Sequence, residues 1–432
     1  MSSLGRNTRI NMLANAILGA LGILSGSIVS YRYGAGQRGA IGVSQVLAAL
    51  SASLGALGLG DAILHMLAKR RRITLAQLLG YALLTIPLAG LLGVGAGLAV
   101  AKVSGDLFNL GTMAFFCALL GASGAVFSLL GGALRGLSDF VGWNVLRIAA
   151  AVVWVLALLV RDGSDFDPIR AAITYAVLMS LVCLAQALRI RKLLAGRAAR
   201  IELDQTPGLR LLLRFGLPSA FATTPLLLNA RLDQVALGLV ANKVDVGHYV
   251  AAVGYCWATV PLGQAIATQA ATTIAAASNP LPEIQKLCRL AGAVIVGSGL
   301  LAWILAPEAI RLLNGDGFES SVGLARILLV GTTLQGTTYL LEEISRGLGA
   351  PSLALRAELA GLISMVLLLL VLASHGGTAT AIASSIGYLI STLVAARSAS
   401  RLVGVPIRGL VRGDSLVKAS TSDRDIITKH GK

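Results

Sequence analysis

Asn229, Arg231, Asp233 and Gln234 stand inside an otherwise apolar run that extends from Arg214 to Tyr249. These four side chains can do chemistry. A guanidinium binds phosphate through paired, charge-assisted hydrogen bonds that an ammonium matches poorly. A carboxylate beside an amide can hold a cation or fasten a neighbouring helix. On a helix, positions 229 and 233 share one face, and 231 and 234 share another about 160° away. Either Asn229 and Asp233 hold a partner helix while Arg231 and Gln234 look into a cavity, or the reverse. Arg231 lies about 13 Å below one end of the run, too deep to reach lipid headgroups comfortably. A charge at that depth costs several kcal/mol and marks a candidate site. Pro218 and Pro225 interrupt the same run, and a helix in lipid keeps prolines where neighbours satisfy the freed carbonyls.

Other charges in apolar surroundings are fewer. Arg147 and Arg326 join Arg231 and Gln234 as candidates for binding an anionic substrate. Asp61 joins Asp233 and Asn229 as a candidate for ion coupling, although its position near Lys69 also fits pairing with local cations. The first apolar run carries Asn7, Asn11 and Asn15, then Gly19, Gly22 and Gly26, along one helical face. That stripe reads either as helix–helix packing or as the wall of a hydrated cavity. Arg32 and Arg38 flank the next turn, where charges are expected in water or on lipid phosphate. Glu342, Glu343, Arg346, Arg356 and Glu358 are balanced in sign and read as an ion-pair network. The four cysteines have no CxxC spacing and the four histidines no ligand clustering, so neither a disulfide framework nor a metal site is expected. No soluble catalytic segment or nucleotide-binding loop appears, which points away from an enzyme and from cofactors other than a possible ion gradient.

These residues need helices in a membrane to position them. The 432 residues are 56% hydrophobic and only 13% charged, with a mean hydropathy of +0.79. Soluble proteins carry about 25% charged residues. Twelve apolar spans can be drawn, at 10–30, 41–67, 78–100, 107–130, 141–160, 169–188, 211–240, 249–277, 287–313, 322–345, 352–374 and 378–396. With the N-terminus inside, 27 Lys/Arg fall on the cytoplasmic side and 7 on the outer side. This bias predicts both termini in the cytoplasm. It also accounts for the net charge of +16 as topology and attraction to anionic lipids rather than nucleic-acid binding.

The chain also repeats itself. Arg6 and Gly39 recur as Arg214 and Gly247, an offset of 208. Gly105-Asp106-Leu107-Phe108 recurs as Gly315-Asp316-Gly317-Phe318, and Arg135-Gly136-Leu137 as Arg346-Gly347-Leu348. The expected architecture is therefore all-α and polytopic, with about 12 transmembrane helices in two pseudo-symmetric six-helix lobes around a central cavity. The lobes are drawn at 1–200, including a basic joint, and 208–402, with a basic cytoplasmic tail at 403–432.

Several short segments, in order, resemble the polysaccharide flippases of the multidrug/oligosaccharidyl-lipid/polysaccharide exporter superfamily. They are GRNTRINMLANAIL (5–18), ALRGLSDFVGWNVLRI (133–148), RFGLPSAF (214–221), RLDQVALGLV (231–240), VGHYVAA (246–252) and GGTATAIASSIGYLIS (376–391). The resemblance implies alternating access and a polyprenyl-diphosphate-linked oligosaccharide turned from the cytoplasmic to the periplasmic leaflet of a bacterial inner membrane. It implies surface-polysaccharide (O-antigen or lipopolysaccharide) assembly, with other assembly proteins as partners and a sodium or proton gradient in some relatives. It carries RLDQ onto Arg231 and Asp233. Three rivals predict different features. A drug/cation antiporter of the same superfamily typically has an acidic residue in its first helix, and here 10–30 holds none. A glycan polymerase needs a sizeable exposed segment, and a non-transporting scaffold gives Arg231 no task beyond pairing with Asp233.

Overall fold

The computed structural model describes residues 3–69, 73–104, 109–159, 166–197, 208–350 and 352–411. The 105–108 motif, the basic run 70–72, residues 161–165 of the 161–170 loop, the joint at 198–207 and the tail from 412 lie outside the described residues. Helices account for nearly all of the rest: α1 (Ser3–Gly55), α2 (Leu59–Ala68), α3 (Leu75–Ser104), α4 (Leu110–Gly136), α5 (Phe140–Leu159), α6 (Pro168–Arg197), α7 (Leu209–Val240), α8 (Lys243–Cys256), α9 (Val260–Ala276), α10 (Pro280–Asn314), α11 (Ser320–Gly347), α12 (Ser352–Leu372) and α13 (Gly377–Val403).

Among the described residues the thirteen helices trace about twelve spans. Gly34, at φ 71° and ψ −177°, breaks α1, and Val29 and Ile41 on either side of it share one core. The two limbs of α1 are thus the first two expected spans. Two spans drawn as continuous are broken instead. The second gives way at Leu57 and Gly58, both left-handed, before resuming as α2. The eighth stops at Cys256 and resumes at Val260, where Pro261 lacks the N–H that a continuous helix needs. The seventh bends by 45° within 209–240, where Pro218 and Pro225 sit.

Helix α4 is the hub of the first lobe, packing on α1, α2, α3 and α6, and α11 is the hub of the second, packing on α8, α9, α10 and α13. Lipid tails are as apolar as leucine, so close approach of small residues rather than hydrophobic transfer holds such helices together. The repeat is visible in this packing. Gly136, at the end of α4, presses on the Leu64 carbonyl of α2, and Gly347, at the end of α11, presses on the Ala271 carbonyl of α9.

The side that carries Lys69, Arg135 and Arg189 is basic; the opposite side carries the Gly34 and Asn242 turns. On the turn side the lobes are sealed. Ala40, Val43 and Leu47 share one core with Tyr249, Val250, Val253 and Leu328. Gly39 lies against the Lys243 carbonyl and Gly247 against the Ala35 carbonyl. Both pairs of partners are 208 positions apart, so the contact is self-complementary, as a twofold relation requires. No side chain beyond hydrogen fits at Gly39 or Gly247 without displacing backbone. On the basic side each lobe keeps its own core, and among the described residues the first half of α7 reaches across to the first lobe's core. There Phe215 stacks on His65 at 4.4 Å, and Ser219 donates to Asp61 Oδ2 at 2.7 Å.

Candidate functional site

A cavity of about 570 Å³ lies between the lobes, walled by both limbs of α1, by α7 and α8, and by the end of α10. Its charged lining residues are Arg38 and Arg231, and no carboxylate lines it among the described residues. The Arg231 guanidinium lies 5.2 Å from the centre of the Trp257 ring. Trp257 follows the last residue of α8, so the break in the eighth span puts an aromatic face against the cation. Gln45, Gln234, Ser25, Tyr255 and Asn314 add polar groups. Arg38 Nε and Gln234 Nε2 are buried with no hydrogen-bond partner. Buried donors normally find acceptors, so this is a site with donors to spare. Its fixed charge is cationic.

Arg38 corrects the expectation that it would be solvated or touch lipid phosphate. Gly34 completes the turn earlier, so Arg38 is already one helical turn into the descending limb. Its guanidinium packs against Gly26 of the ascending limb and Gly254 of α8. A signal for this existed. Arg38, Gly42, Gln45 and Ala49 fall at i, i+4, i+7 and i+11 and all line the cavity. They form one small and polar helical face.

The two faces of α7 separate as one of the two sequence readings has it. Arg231 and Gln234 line the cavity, whereas Asn229 and Asp233 turn into the second lobe. The Asp233 carboxylate accepts from Tyr249 Oη at 2.6 Å, Ser384 Oγ at 2.9 Å and the Gln234 backbone N–H at 2.8 Å. Asn229 Nδ2 donates to the Glu358 carbonyl at 2.9 Å and to its carboxylate at 2.5 Å. Gln335 donates to the same carboxylate at 3.0 Å. The expected ion-pair network at 342–358 is therefore narrower. Arg346 pairs with Glu342 and Glu343, while buried Glu358 meets Asn229, Gln335 and the Glu342 carboxyl, and Arg356 is exposed.

The remaining candidates lie outside the cavity lining. Arg326 is on α11, 4.5 Å from the centre of the Trp303 ring. Arg147 on α5 donates to Asn15 Oδ1 at 2.9 Å and Asn144 Oδ1 at 3.2 Å. Asp61 is 3.6 Å from Arg135 Nη2. The asparagine–glycine stripe divides. Asn11 and Asn15 join α1 to α5, while Gly19, Gly22 and Gly26 wall the cavity. The four cysteines are free, and no group of three His, Cys, Asp or Glu gathers among the described residues.

No family model matches the chain, and no curated protein matches it. Solved structures do. An inward-facing multidrug resistance MATE family transporter of the MOP superfamily superposes with a TM-score of 0.65 at 15% identity, over 90% of this chain and 95% of that one. The lipid II flippase MurJ, in an inward closed conformation, gives a TM-score of 0.67 at 11% identity, over 92% and 88%. A MOP superfamily transporter from Pyrococcus furiosus, distinguished by the reversed polarity of its binding pocket, gives 0.52 at 16%, over 94% and 95%. The chain has the fold of the MOP superfamily transporters: an all-α, polytopic membrane protein of two six-helix lobes around a central cavity.

Proposed function

We propose that the chain is a flippase for a polyprenyl-diphosphate-linked oligosaccharide. It carries the headgroup from the cytoplasmic to the periplasmic leaflet of a bacterial inner membrane by alternating access, for surface-polysaccharide assembly. The observation that carries this reading is the cavity that holds Arg38 and Arg231 and no carboxylate. A diphosphate brings two or more negative charges out of bulk water, and desolvated charge needs compensation in place. Two guanidiniums with free N–H groups supply it. An acid-lined cavity would favour cationic drugs, and this lining is the opposite. The basic side faces the cytoplasm by the positive-inside rule, so the sealed turn side is the periplasmic one and the structure is inward-oriented. Transport draws on a sodium or proton gradient. Among Asp61, Asn229 and Asp233, Asp233 is the carboxylate buried in the second lobe and the one to test.

The test is transbilayer movement of a fluorescent polyprenyl-diphosphate oligosaccharide in proteoliposomes. Arg231→Ala and Arg38→Ala should each slow movement at least tenfold at matched protein level, and Arg231→Lys should recover part of it. Normal movement in both alanine variants, or export of cationic dyes instead, overturns the assignment.

A further inference from the structure

A second cationic cluster lies on the basic side, outside the central cavity. Trp143 of α5 has two guanidiniums near its ring, with Arg135 at 5.3 Å and Arg147 at 5.5 Å from its centre. Phe127 stacks on the same indole at 5.5 Å, which fixes its plane. Cation–π contact favours each guanidinium, but the two like charges are brought together on one ring. Their compensation is thin. Arg147 bonds only neutral amides among the described residues, from Asn15 and Asn144. Arg135 reaches one carboxylate, Asp61, at 3.6 Å, and Asp61 is shared with Ser219 of the other lobe. Arg135 Nε is buried and unpartnered.

This cluster is joined to the central cavity along one helix face. Asn15, which is exposed and accepts from Arg147, lies one turn before Gly19, the first cavity-lining residue of α1. Gly22 and Gly26 continue the same face to the Arg38 guanidinium. From Asn15 to Gly26 is eleven residues, about 16 Å at helical rise. Ile23 is the one large side chain of this stretch that lines the cavity, and the stretch carries no carboxylate to hold an anion back.

We propose that Arg135, Trp143 and Arg147 form a capture site for the diphosphate of a prenyl-linked lipid, loaded from the basic side before the headgroup moves to Arg38 and Arg231. The proposal rests on the flippase reading for its second step, but capture itself does not. Two guanidiniums gathered at one indole can present N–H groups to a dianion, and Asn15 hands the anion on without competing for it. Asp61 links the site to Ser219 of α7, so occupancy of Arg135 and the interlobe contact share one carboxylate.

Tryptophan emission tests this in nanodiscs of zwitterionic lipid. In a chain with Trp154→Phe, Trp257→Phe and Trp303→Phe, Trp143 alone reports the capture site; retaining Trp257 alone reports the central one. Farnesyl diphosphate is the probe. Trp143 emission should change saturably with it, Arg147→Gln should abolish the change, and the Trp257 signal should survive that substitution. Inorganic diphosphate should elicit a weaker response of the same sign, because it lacks the lipid tail. An unmoved Trp143 at concentrations that saturate Trp257 overturns the capture site and leaves the central reading standing. The reverse pattern keeps the capture site and removes the central one. Loss of the response in phosphatidylglycerol nanodiscs makes this a general anionic-lipid contact and also overturns the proposal. In the chain with all four tryptophans, Arg147→Gln should raise the substrate concentration for half-maximal flipping about tenfold with the maximal rate nearly kept, and Arg147→Lys should restore most of the shift. Unchanged concentration dependence in Arg147→Gln sinks the idea without any tryptophan replacement.

Discussion

The turns that end α4 and α11 are the same piece of backbone used twice. In the first lobe Leu137, Ser138 and Asp139 donate their N–H groups to Ala133, Arg135 and Leu134; in the second, Leu348, Gly349 and Ala350 donate to Ile344, Arg346 and Ser345. Every donor and acceptor is 211 positions from its counterpart. Ser138 and Gly349 both take the left-handed conformation, at φ 62° and 81°. The side chains then part company. Arg135 lies on Trp143 with one distant carboxylate, whereas Arg346 takes the carboxylates of both Glu342 and Glu343. The same contrast runs through the lobes. Asp233, Glu342 and Glu358 are buried, and all three belong to the second; the first buries no carboxylate among the described residues. Duplication preserved the frame that must move symmetrically and released the charges that need not. Both lobes present a cation to the cavity, Arg38 from the first and Arg231 from the second, but among the described residues only the second buries carboxylates.

The largest expected effects come where the lobes are alike. Gly39 and Gly247 meet each other's limb through backbone, so Gly39→Ala and Gly247→Ala must each push the turns apart. Overpacking of this kind costs about 1–3 kcal/mol, enough to unseal the turn side. Cross-linking between cysteines placed by Ala35→Cys and Lys243→Cys should fall at least tenfold in both variants, and by similar factors. Flipping should fall with it. A large loss in one variant and none in the other breaks the twofold relation at the seal.

A smaller effect separates the lobes. Asp233→Asn replaces an acceptor that holds Tyr249 and Ser384 with a group that also donates, leaving a buried hydroxyl unpaired at about 1–3 kcal/mol. The variant should melt several degrees lower in detergent, and its transport should no longer respond to a sodium or proton gradient. Lower stability with the gradient response intact makes Asp233 a packing residue. Unchanged stability and unchanged response remove both roles.

Much of this architecture is legible in the sequence. The spans follow from hydropathy, and the duplicated half from Gly39 against Gly247 and from the two Arg-Gly-Leu segments. Arg231 and Gln234 share a face by helical arithmetic alone. Which way that face points was not readable, because periodicity gives relative angles and packing decides the rest. The burial of Arg38 is hidden for a related reason. An arginine four residues past a tight glycine turn looks solvated unless the chain is known to reverse at Gly34 and not later. The break at 257–259 also escaped, since Trp-Ala-Thr is apolar enough to pass as helix and only Pro261 hints at the stop. Arg135 and Trp143 lie eight residues apart in sequence, but their contact spans a turn and only the three-dimensional path brings the guanidinium near the ring.

The smallest expected effect belongs to a lock that one lobe has and the other lacks. Asp139 follows the turn after α4, and both its oxygens accept from Arg189 at the basic end of α6. The counterpart 211 positions on is Ala350, which has no side chain to offer. The hydrogen bond from Arg189 holds the Asp139 carboxyl below the usual carboxylate value, helped by the Gly142 backbone N–H. A carboxyl lowered on folding adds stability above its unfolded value, near 3.9, and loses it as pH falls through the lowered value. The pair lies at the membrane surface, where exposed ion pairs contribute about 0–1 kcal/mol. Asp139→Asn should therefore melt one or two degrees below the unsubstituted protein at pH 7, and the gap should close as the pH drops below about 4. Ala350→Asp, which adds a carboxylate at the same place in the other lobe, should show no such pH-dependent gain unless an arginine there can reach it. A gap for Asp139→Asn that stays the same from pH 7 to pH 3 would mean the residue acts through packing, and that the asymmetry at this turn is one of shape rather than charge.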